Sequence, residues 1–260
     1  MGDVIRIGVA GALGRMGRVL QDLAAERADV SLTARIDRPD AAPTAALAPP
    51  LLSPGEALGL CDVIIDFSTA AASTALAALA AAAGGPALVI GATGFTPEQD
   101  NVVAVAAETI AIVKSGNFSL GVNMLALLVE EAARRLGPGA WDVEILEAHH
   151  RRKIDAPSGT ALLLGAAAAR GRGEAADIAG PPVRADRSGA RAQGGIGYAS
   201  LRGGGIVGEH SVIFAAEDEI ITLSHSARDR SLFASGALAA AAWVATARPG
   251  LYGMRDVLGV

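Results

Sequence analysis

Residues 4 to 17 read V-I-R-I-G-V-A-G-A-L-G-R-M-G. Val4 to Ala10 is an apolar run broken only by Arg6, and it ends in a turn whose glycines are Gly11, Gly14 and Gly17. Val19, Leu20, Leu23 and Ala24 then recur at helical spacing, so the unit reads as strand, glycine turn, helix. Small residues in such a turn let the backbone approach a pyrophosphate closely, and the helix N-terminus offers it unpaired N–H groups. The strict G-x-G-x-x-G pattern is not met: its first position is Ala12, while Gly14 and Gly17 fit the second and third. The next run, Ser31 to Ile36, delivers Asp37 twenty positions after Gly17. A nucleotide-binding βαβ unit places an acid there to bind a ribose hydroxyl. Arg38 follows and suits a 2′-phosphate, so use of both NADH and NADPH is expected. The plain alternative is that Asp37 and Arg38 open a surface loop.

The same rhythm continues outward. Residues 39 to 55 hold five of the twelve prolines and read as a surface loop. Cys61 to Phe67 reads as a third strand, followed by Ser68-Thr69 and an alanine-rich helix from Ala70 to Ala83. A fourth strand, Ala87 to Ile90, ends at Gly91-Ala92-Thr93-Gly94-Phe95, and Thr96-Pro97-Glu98 has the form of a helix N-terminus. A fifth, Ile110 to Val113, ends at Lys114-Ser115-Gly116-Asn117-Phe118. In an open parallel sheet the ligand lies at the carboxyl ends of the strands, which makes these loops candidate cofactor contacts. Ordinary turn chemistry explains the same residues equally simply.

Beyond the helix predicted for Leu120 to Leu136 and its Gly137-Pro138-Gly139 stop, the texture changes. Trp141 to Ala148 reads as a strand, and Ser158 as the cap of a helix through about Arg170. Gly171 to Gly189 reads as a mobile loop. Three β-rich runs follow, near 195 to 201, 206 to 215 and 219 to 226. Arg202-Gly203-Gly204-Gly205 and Glu217-Asp218 join them, and such close turns favour antiparallel hairpins. A last helix, Leu232 to Ala247, is expected to pack back on the first domain.

Composition agrees with helix-covered parallel strands, because aromatics are only 3 % of the 260 residues. One cysteine, Cys61, excludes an intramolecular disulfide and a thiolate metal cluster. The alanine runs are too weakly apolar to span a membrane, and Asp3 and Arg6 interrupt any signal-like stretch. A soluble cytoplasmic protein without a membrane partner is therefore expected. The net charge of −5 argues against a nucleic-acid partner but not against an anionic small molecule.

Polar chemistry is concentrated in one place, E-A-H-H-R-R-K-I-D-A-P-S-G-T, from Glu147 to Thr160. Of 22 Lys plus Arg only Lys114 and Lys153 are lysines, so Lys153 stands out here. An ammonium is a compact point charge with a tunable pKa, unlike the fixed guanidinium fork. Imidazole titrates near neutrality and suits proton transfer. Lys153 and a helix N-terminus from Ser158 to Thr160 suit carboxylates. On a strand, His149 and His150 point to opposite faces, which would leave one of them structural; a loop would relax that. Arg151 and Arg152 read as solvated or interface charges, and His210 and His225 as structural. No metal is expected, since adjacent histidines are not a chelating pair.

The sequence resembles dihydrodipicolinate reductase, a nicotinamide-dependent family of lysine (diaminopimelate) biosynthesis. The motifs are G-A-L-G-R-M-G at 11 to 17, D-F-S at 66 to 68, G-A-T-G-F at 91 to 95, N-F-S-L-G-V-N at 117 to 123, E-A-H-H-R-R-K-I-D-A-P-S-G-T-A at 147 to 161, and the C-terminal G-M-R-D-V-L. The resemblance implies reduction of 4-hydroxy-tetrahydrodipicolinate, with loss of water, to tetrahydrodipicolinate. It implies His149 as proton donor and acceptor, Lys153 as second proton donor or electrostatic partner, and His150, Gly159 and Thr160 as contacts to a dicarboxylate substrate. For the cofactor, NADPH or NADH, it implies Gly11, Ala12, Leu13, Gly14, Arg15, Met16, Asp37, Arg38, Gly91, Ala92, Thr93, Ser115, Gly116, Asn117 and Phe118. It also implies a homotetramer assembled through the second-domain sheet. Some relatives have arginine where this chain has Thr69, which leaves the cofactor preference open.

The expected architecture is a Rossmann-like doubly wound parallel sheet plus a second α+β domain with a mixed, largely antiparallel sheet. Residues 1–119 with 231–260 form the expected dinucleotide-binding domain, and 120–230 the substrate-binding and oligomerisation domain. Two other readings stay open: a dehydrogenase of another small acid or amino acid, and a catalytically silent dinucleotide sensor.

Overall fold

The computed structural model describes residues 4–38, 40, 49–174, 191 and 193–260. In chain order the elements begin β1 (Ile5–Ala10), α1 (Arg15–Ala25), β2 (Val30–Ile36), β3 (Leu51–Leu52), α2 (Pro54–Leu58) and β4 (Val63–Asp66). They continue with α3 (Ala70–Ala82), β5 (Ala87–Ile90), α4 (Pro97–Ala106), β6 (Ala111–Lys114), α5 (Leu120–Arg135) and β7 (Asp142–His149). Then come α6 (Gly159–Gly171), β8 (Ile196–Arg202), β9 (Gly208–Ala215), β10 (Ile220–Ala227), α7 (Ser231–Val244), β11 (Gly250–Tyr252) and α8 (Met254–Leu258). The chain divides into two compact units, one of residues 1–120 with 231–260 and the other of residues 121–230.

The first unit is built on a seven-stranded parallel sheet of order β11-β6-β5-β4-β1-β2-β3. Its strands are short and almost wholly apolar, as burial on both faces requires. One face, with Ile7, Val9, Val63, Ile65 and Val89, packs against α1 and α7 through Leu20, Ala237 and Leu238. The other, with Ile64, Leu88, Ile90 and Ile112, packs against α3 and α4 through Leu76, Ala80 and Val103. The order reverses between β1 and β4, and in such a sheet the crevice beyond that point takes the ligand. The predicted doubly wound architecture is therefore present. Four short elements were missing from the sequence reading: β3 and α2 inside the proline-rich loop, and β11 and α8 at the C-terminal end. Ser53 caps α2 in a capping box with Glu56, and Pro54 opens it. The rest of the predicted 39–55 loop lies largely outside the described residues.

The second unit has a four-stranded sheet of order β10-β9-β7-β8. β9 is antiparallel to β7 and β10, while β8 runs parallel to β7. The sheet is thus mixed and mostly antiparallel, as expected, but the hairpin expected between β8 and β9 is not formed. Their glycine-rich link crosses the end of β7 instead: Gly203 donates its N–H to His149 O at 2.9 Å, and Gly204 O accepts from Arg151 N at 3.3 Å. Val143, Ile145, Val212 and Phe214 face α5 and α6, meeting Leu125, Val129 and Leu164. Most of the loop predicted for Gly171 to Gly189 lies outside the described residues. No helix among the described residues is long and apolar enough to cross a membrane.

Candidate active site

In the first unit the candidate cofactor site is made by backbone. Gly11 has φ +73°, and a Cβ on it would come 3.0 Å from Phe67 O. Gly17 lies so close to the strand end that a Cβ would fall 2.2 Å from Gly11 O, so α1 can start there only with glycine. The positive φ belongs to Gly11, so that residue, and not Ala12 as the strict motif would have it, makes the tight turn. Ala12 is fully buried and its N–H bonds Ile36 O at 3.1 Å. Gly14 precedes α1 without a side-chain cap, leaving the first amides of that helix to an external acceptor. Arg15 is exposed beside it, and Met16 packs partly on the core.

Asp37 leaves β2 and reaches back, accepting from Leu13 N at 2.8 Å and from Arg38 N at 2.9 Å. The acid and the glycine turn, separate in sequence, are thus joined. Arg38 is exposed. At the end of β4, Asp66 is fully buried, and its Oδ2 and the Ser68 Oγ have no hydrogen-bond partner among the described residues. Orphaned oxygens at a strand-order reversal, an uncapped helix and a glycine cradle all fit a dinucleotide.

The 91–93 and 115–118 loops meet further along the same sheet. A pocket of about 450 Å³ is lined by Ala92, Thr93, Ser115 and Gly116, together with Phe95, Lys114 and two residues not anticipated, Leu251 and Tyr252 of β11. Lys114 pairs with Asp100 and sits 4.1 Å from the Phe95 ring centre, so the other of the two lysines is engaged locally. Gly91 admits the Phe67 ring, whose edge contact with buried Phe118 has a centroid distance of 5.7 Å. Ser115 Oγ accepts from Asn117 N and donates to Asn117 O, which closes the turn. A second depression, about 500 Å³, lies by Arg6, Asp62 and Pro249 at the opposite, amino ends of the strands. That end is not where parallel sheets hold ligands.

In the second unit the candidate site is made by side chains. Alternation along β7 puts Glu147 and His149 on its helix-covered face, and registry sets His210 of β9 opposite Glu147 and Arg202 of β8 beside His149. Glu147, 1 % exposed, accepts from both Nη atoms of Arg202 at 2.8 and 2.7 Å and from Ser158 N at 3.2 Å; its Oε2 lies 2.5 Å from His149 Nδ1. Burial alone pushes a carboxyl up, yet Arg202, the neighbouring Ser200 of β8 and His149 outweigh it and hold Glu147 down at about 2. His210 is buried, 5.0 Å from the His149 ring centre, and burial with the neighbouring His149 holds it down at about 4. Its Nε2 lies 3.1 Å from Ser158 Oγ.

Ser158 caps α6 by accepting from Ala161 N at 3.1 Å and is 1 % exposed, so its side chain is committed to the cap and to His210. Gly159 and Thr160 form the first helical positions beyond it. The two adjacent histidines part: His149 ends β7 almost buried, while His150 stands half-buried, 3.2 Å from an Arg230 Nη. Burial, Arg152 and Arg230 press its pKa down. Lys153 lies in the following loop, paired with Asp155 at 2.8 Å, and Arg151 and Arg152 are exposed. Glu147 and Arg202 carry no role predicted from sequence, and His210, expected to be structural, stands beside His149. The signal for Glu147 was its position two residues before His149 on a strand.

Comparison with known proteins agrees over the whole chain. Residues 5–118 match the N-terminus, and residues 121–258 the C-terminus, of dihydrodipicolinate reductase. A 4-hydroxy-tetrahydrodipicolinate reductase from Caulobacter vibrioides is 53 % identical over 259 residues, covering 100 % of this chain and 99 % of that one. One from Rhizobium meliloti is 48 % identical, covering 98 % of each. Among solved structures, a dipicolinate-bound dihydrodipicolinate reductase from Paenisporosarcina sp. TG-14 aligns at TM-score 0.79 with 25 % identity, covering 97 % of this chain and 99 % of that chain. With both halves matched and half of its residues shared with full-length relatives, the chain belongs to the dihydrodipicolinate reductase family.

Proposed function

We propose that the protein reduces 4-hydroxy-tetrahydrodipicolinate to tetrahydrodipicolinate, with loss of water, using NADPH or NADH. The observation that carries the reading is the double grip of Glu147 on His149 and on the amide of Ser158, which stands an imidazole beside the start of a thirteen-residue helix. A proton donor next to amides that favour anions is what a dicarboxylate undergoing reduction needs. His149 is assigned the proton transfer to the carbon next to the one that receives hydride, help typically worth about 10² to 10⁴ in rate. Lys153 is assigned as its electrostatic partner or second donor, and His150, Gly159 and Thr160 as carboxylate contacts. Ser158 acts through the cap it forms. A bound nicotinamide supplies the hydride. The Gly11–Met16 turn with Asp37 and Arg38 would hold the dinucleotide, and the 91–93 and 115–118 loops its other end.

A homotetramer belongs to the same proposal. Leu146, Leu201 and Ile220 lie on the sheet face turned away from α5 and α6 and are 44 %, 50 % and 67 % exposed, which suits cover by further copies. Light scattering is expected to give four chains per particle; a monomer at micromolar concentration would remove this part. The activity is tested by adding NADPH or NADH to purified protein with substrate made in situ from pyruvate and aspartate semialdehyde. Substrate-dependent loss of nicotinamide absorbance is expected. Its absence with both cofactors would sink the reading.

A further inference from the structure

The carboxylate of Glu147 receives four hydrogen-bond contacts on two oxygens. Oε1 takes Arg202 Nη2 at 2.7 Å and Ser158 N at 3.2 Å; Oε2 takes Arg202 Nη1 at 2.8 Å and faces His149 Nδ1 at 2.5 Å. Two of the four are guanidinium N–H groups and one is a backbone amide, none of which can accept. An ionised carboxylate is acceptor-only, so the fourth partner must donate as well. Nδ1 of His149 therefore carries the proton when the ring is neutral, and Nε2 is the atom left to take and release one. On the Nε2 side the neighbour is a glycine. Gly208 lies there, and a Cβ on it would stand 3.2 Å from Nε2.

We infer that Glu147 is the positioning residue of this active site: clamped by Arg202, it fixes the tautomer and ring orientation of His149 and, through Ser158 N, locks the start of α6 to the same carboxylate. The inference rests on His149 being the proton donor proposed above. The transferred proton leaves Nε2, whose bonding pair stays on nitrogen, and forms the new C–H bond on substrate. Nδ1–H keeps its bond to Glu147 throughout, so the carboxylate meets the same N–H before and after the step.

A purely structural ion pair would hold the strands together equally well, so the test has to reach the ring itself. The titratable and charged groups set against His149 are Glu147 from its own strand, Arg202 from β8 and His210 from β9; in the loop beyond, Lys153 pairs with Asp155, whose O accepts from Arg202. Nitrogen-15 NMR of histidine in the unaltered protein, with the His149 signals assigned by their loss in His149→Gln, reads the tautomer directly. Protonated Nδ1 and bare Nε2 are expected in the neutral ring; the reverse overturns the inference whatever the activity. In Glu147→Gln, kcat is expected to fall on the order of 10²-fold, with the NADPH Kd within about twofold. A variant with unchanged kcat overturns it. If Glu147→Gln does not fold, the NMR result on the unaltered protein decides alone. Absence of turnover in that unaltered protein would count against the reductase reading and leave the tautomer result standing.

Discussion

The two candidate sites of this chain are made of different material. Around Gly11 to Gly17 the site consists of backbone: an uncapped helix start, a left-handed glycine and a second glycine on which a Cβ would fall 2.2 Å from Gly11 O. Around Glu147 to Thr160 it consists of buried side chains, a carboxylate of 1 % exposure gripped from three directions. A backbone site binds the part of a ligand that is the same in every dinucleotide, and its atoms also carry the fold. A side-chain site can change charge state, which is what proton transfer needs. The difference predicts that binding and stability are coupled in the first unit, while chemistry and binding are separable in the second.

His149→Gln is the largest expected break in that comparison. Turnover should fall by about 10² to 10⁴ while the NADPH Kd stays within about twofold. An equally active variant would end the proton-donor assignment, and loss of cofactor binding would end the separability.

Gly17→Ala should do the opposite and couple two losses. A methyl cannot fit against Gly11 O and the Ala12 backbone without moving the strand end, at a cost of about 3 kcal/mol, and the glycine cradle moves with it. Urea midpoints and NADPH titration should both shift. A stable variant with weakened affinity, or the reverse, would show that the backbone site is not a single structure.

The pH dependence of stability sharpens the second unit. His210 is held at about 4 in the fold but takes a proton from about pH 6.5 when unfolded. The unfolded chain then binds more protons in that interval. Stability is therefore full above about pH 6.5 and should fall by about 2 kcal/mol between pH 7 and pH 5. Glu147, held at about 2 against a usual 4.5, adds a lower window: its contribution is present above about pH 4.5 and lost as pH falls toward about 2. His210→Asn should flatten the urea midpoint between pH 7 and pH 5, and an unchanged slope there would deny that His210 is neutral.

Thr96→Ala is the smallest expected effect. It removes the side-chain cap of α4 and half of its box with Gln99, and should lower unfolding free energy by about 1 kcal/mol without changing turnover.

The same contrast explains what could be read from the chain. The glycine turn, Asp37 and the strand-helix rhythm of the first unit are local patterns, each visible within a window of a few residues, and the structure placed them as the periodicity suggested. Thr96-Pro97-Glu98 announced α4 in the same way, while the capping box of Ser53 and Glu56 that starts α2 stayed hidden because the prolines around it read as loop. The clamp on His149 is not local. Arg202 meets Glu147 across 55 residues, and it does so only because the Gly203–Gly205 link carries the chain over the end of β7 and not into a hairpin. Turn composition alone favours the hairpin, so both the pairing of β8 and the role of Arg202 stayed hidden. His210 looked structural for a related reason: nothing near it in sequence says that it stands opposite Glu147.

Reduction by this chain requires that hydride pass from the nicotinamide to a substrate carbon. That transfer is read with NADPH carrying deuterium at both C4 positions of the dihydronicotinamide, a single turnover on the pyruvate–aspartate semialdehyde condensation product, and mass analysis of what is formed. One deuterium per tetrahydrodipicolinate is the predicted result. Bound cofactor with no product, or product without deuterium, would contradict it.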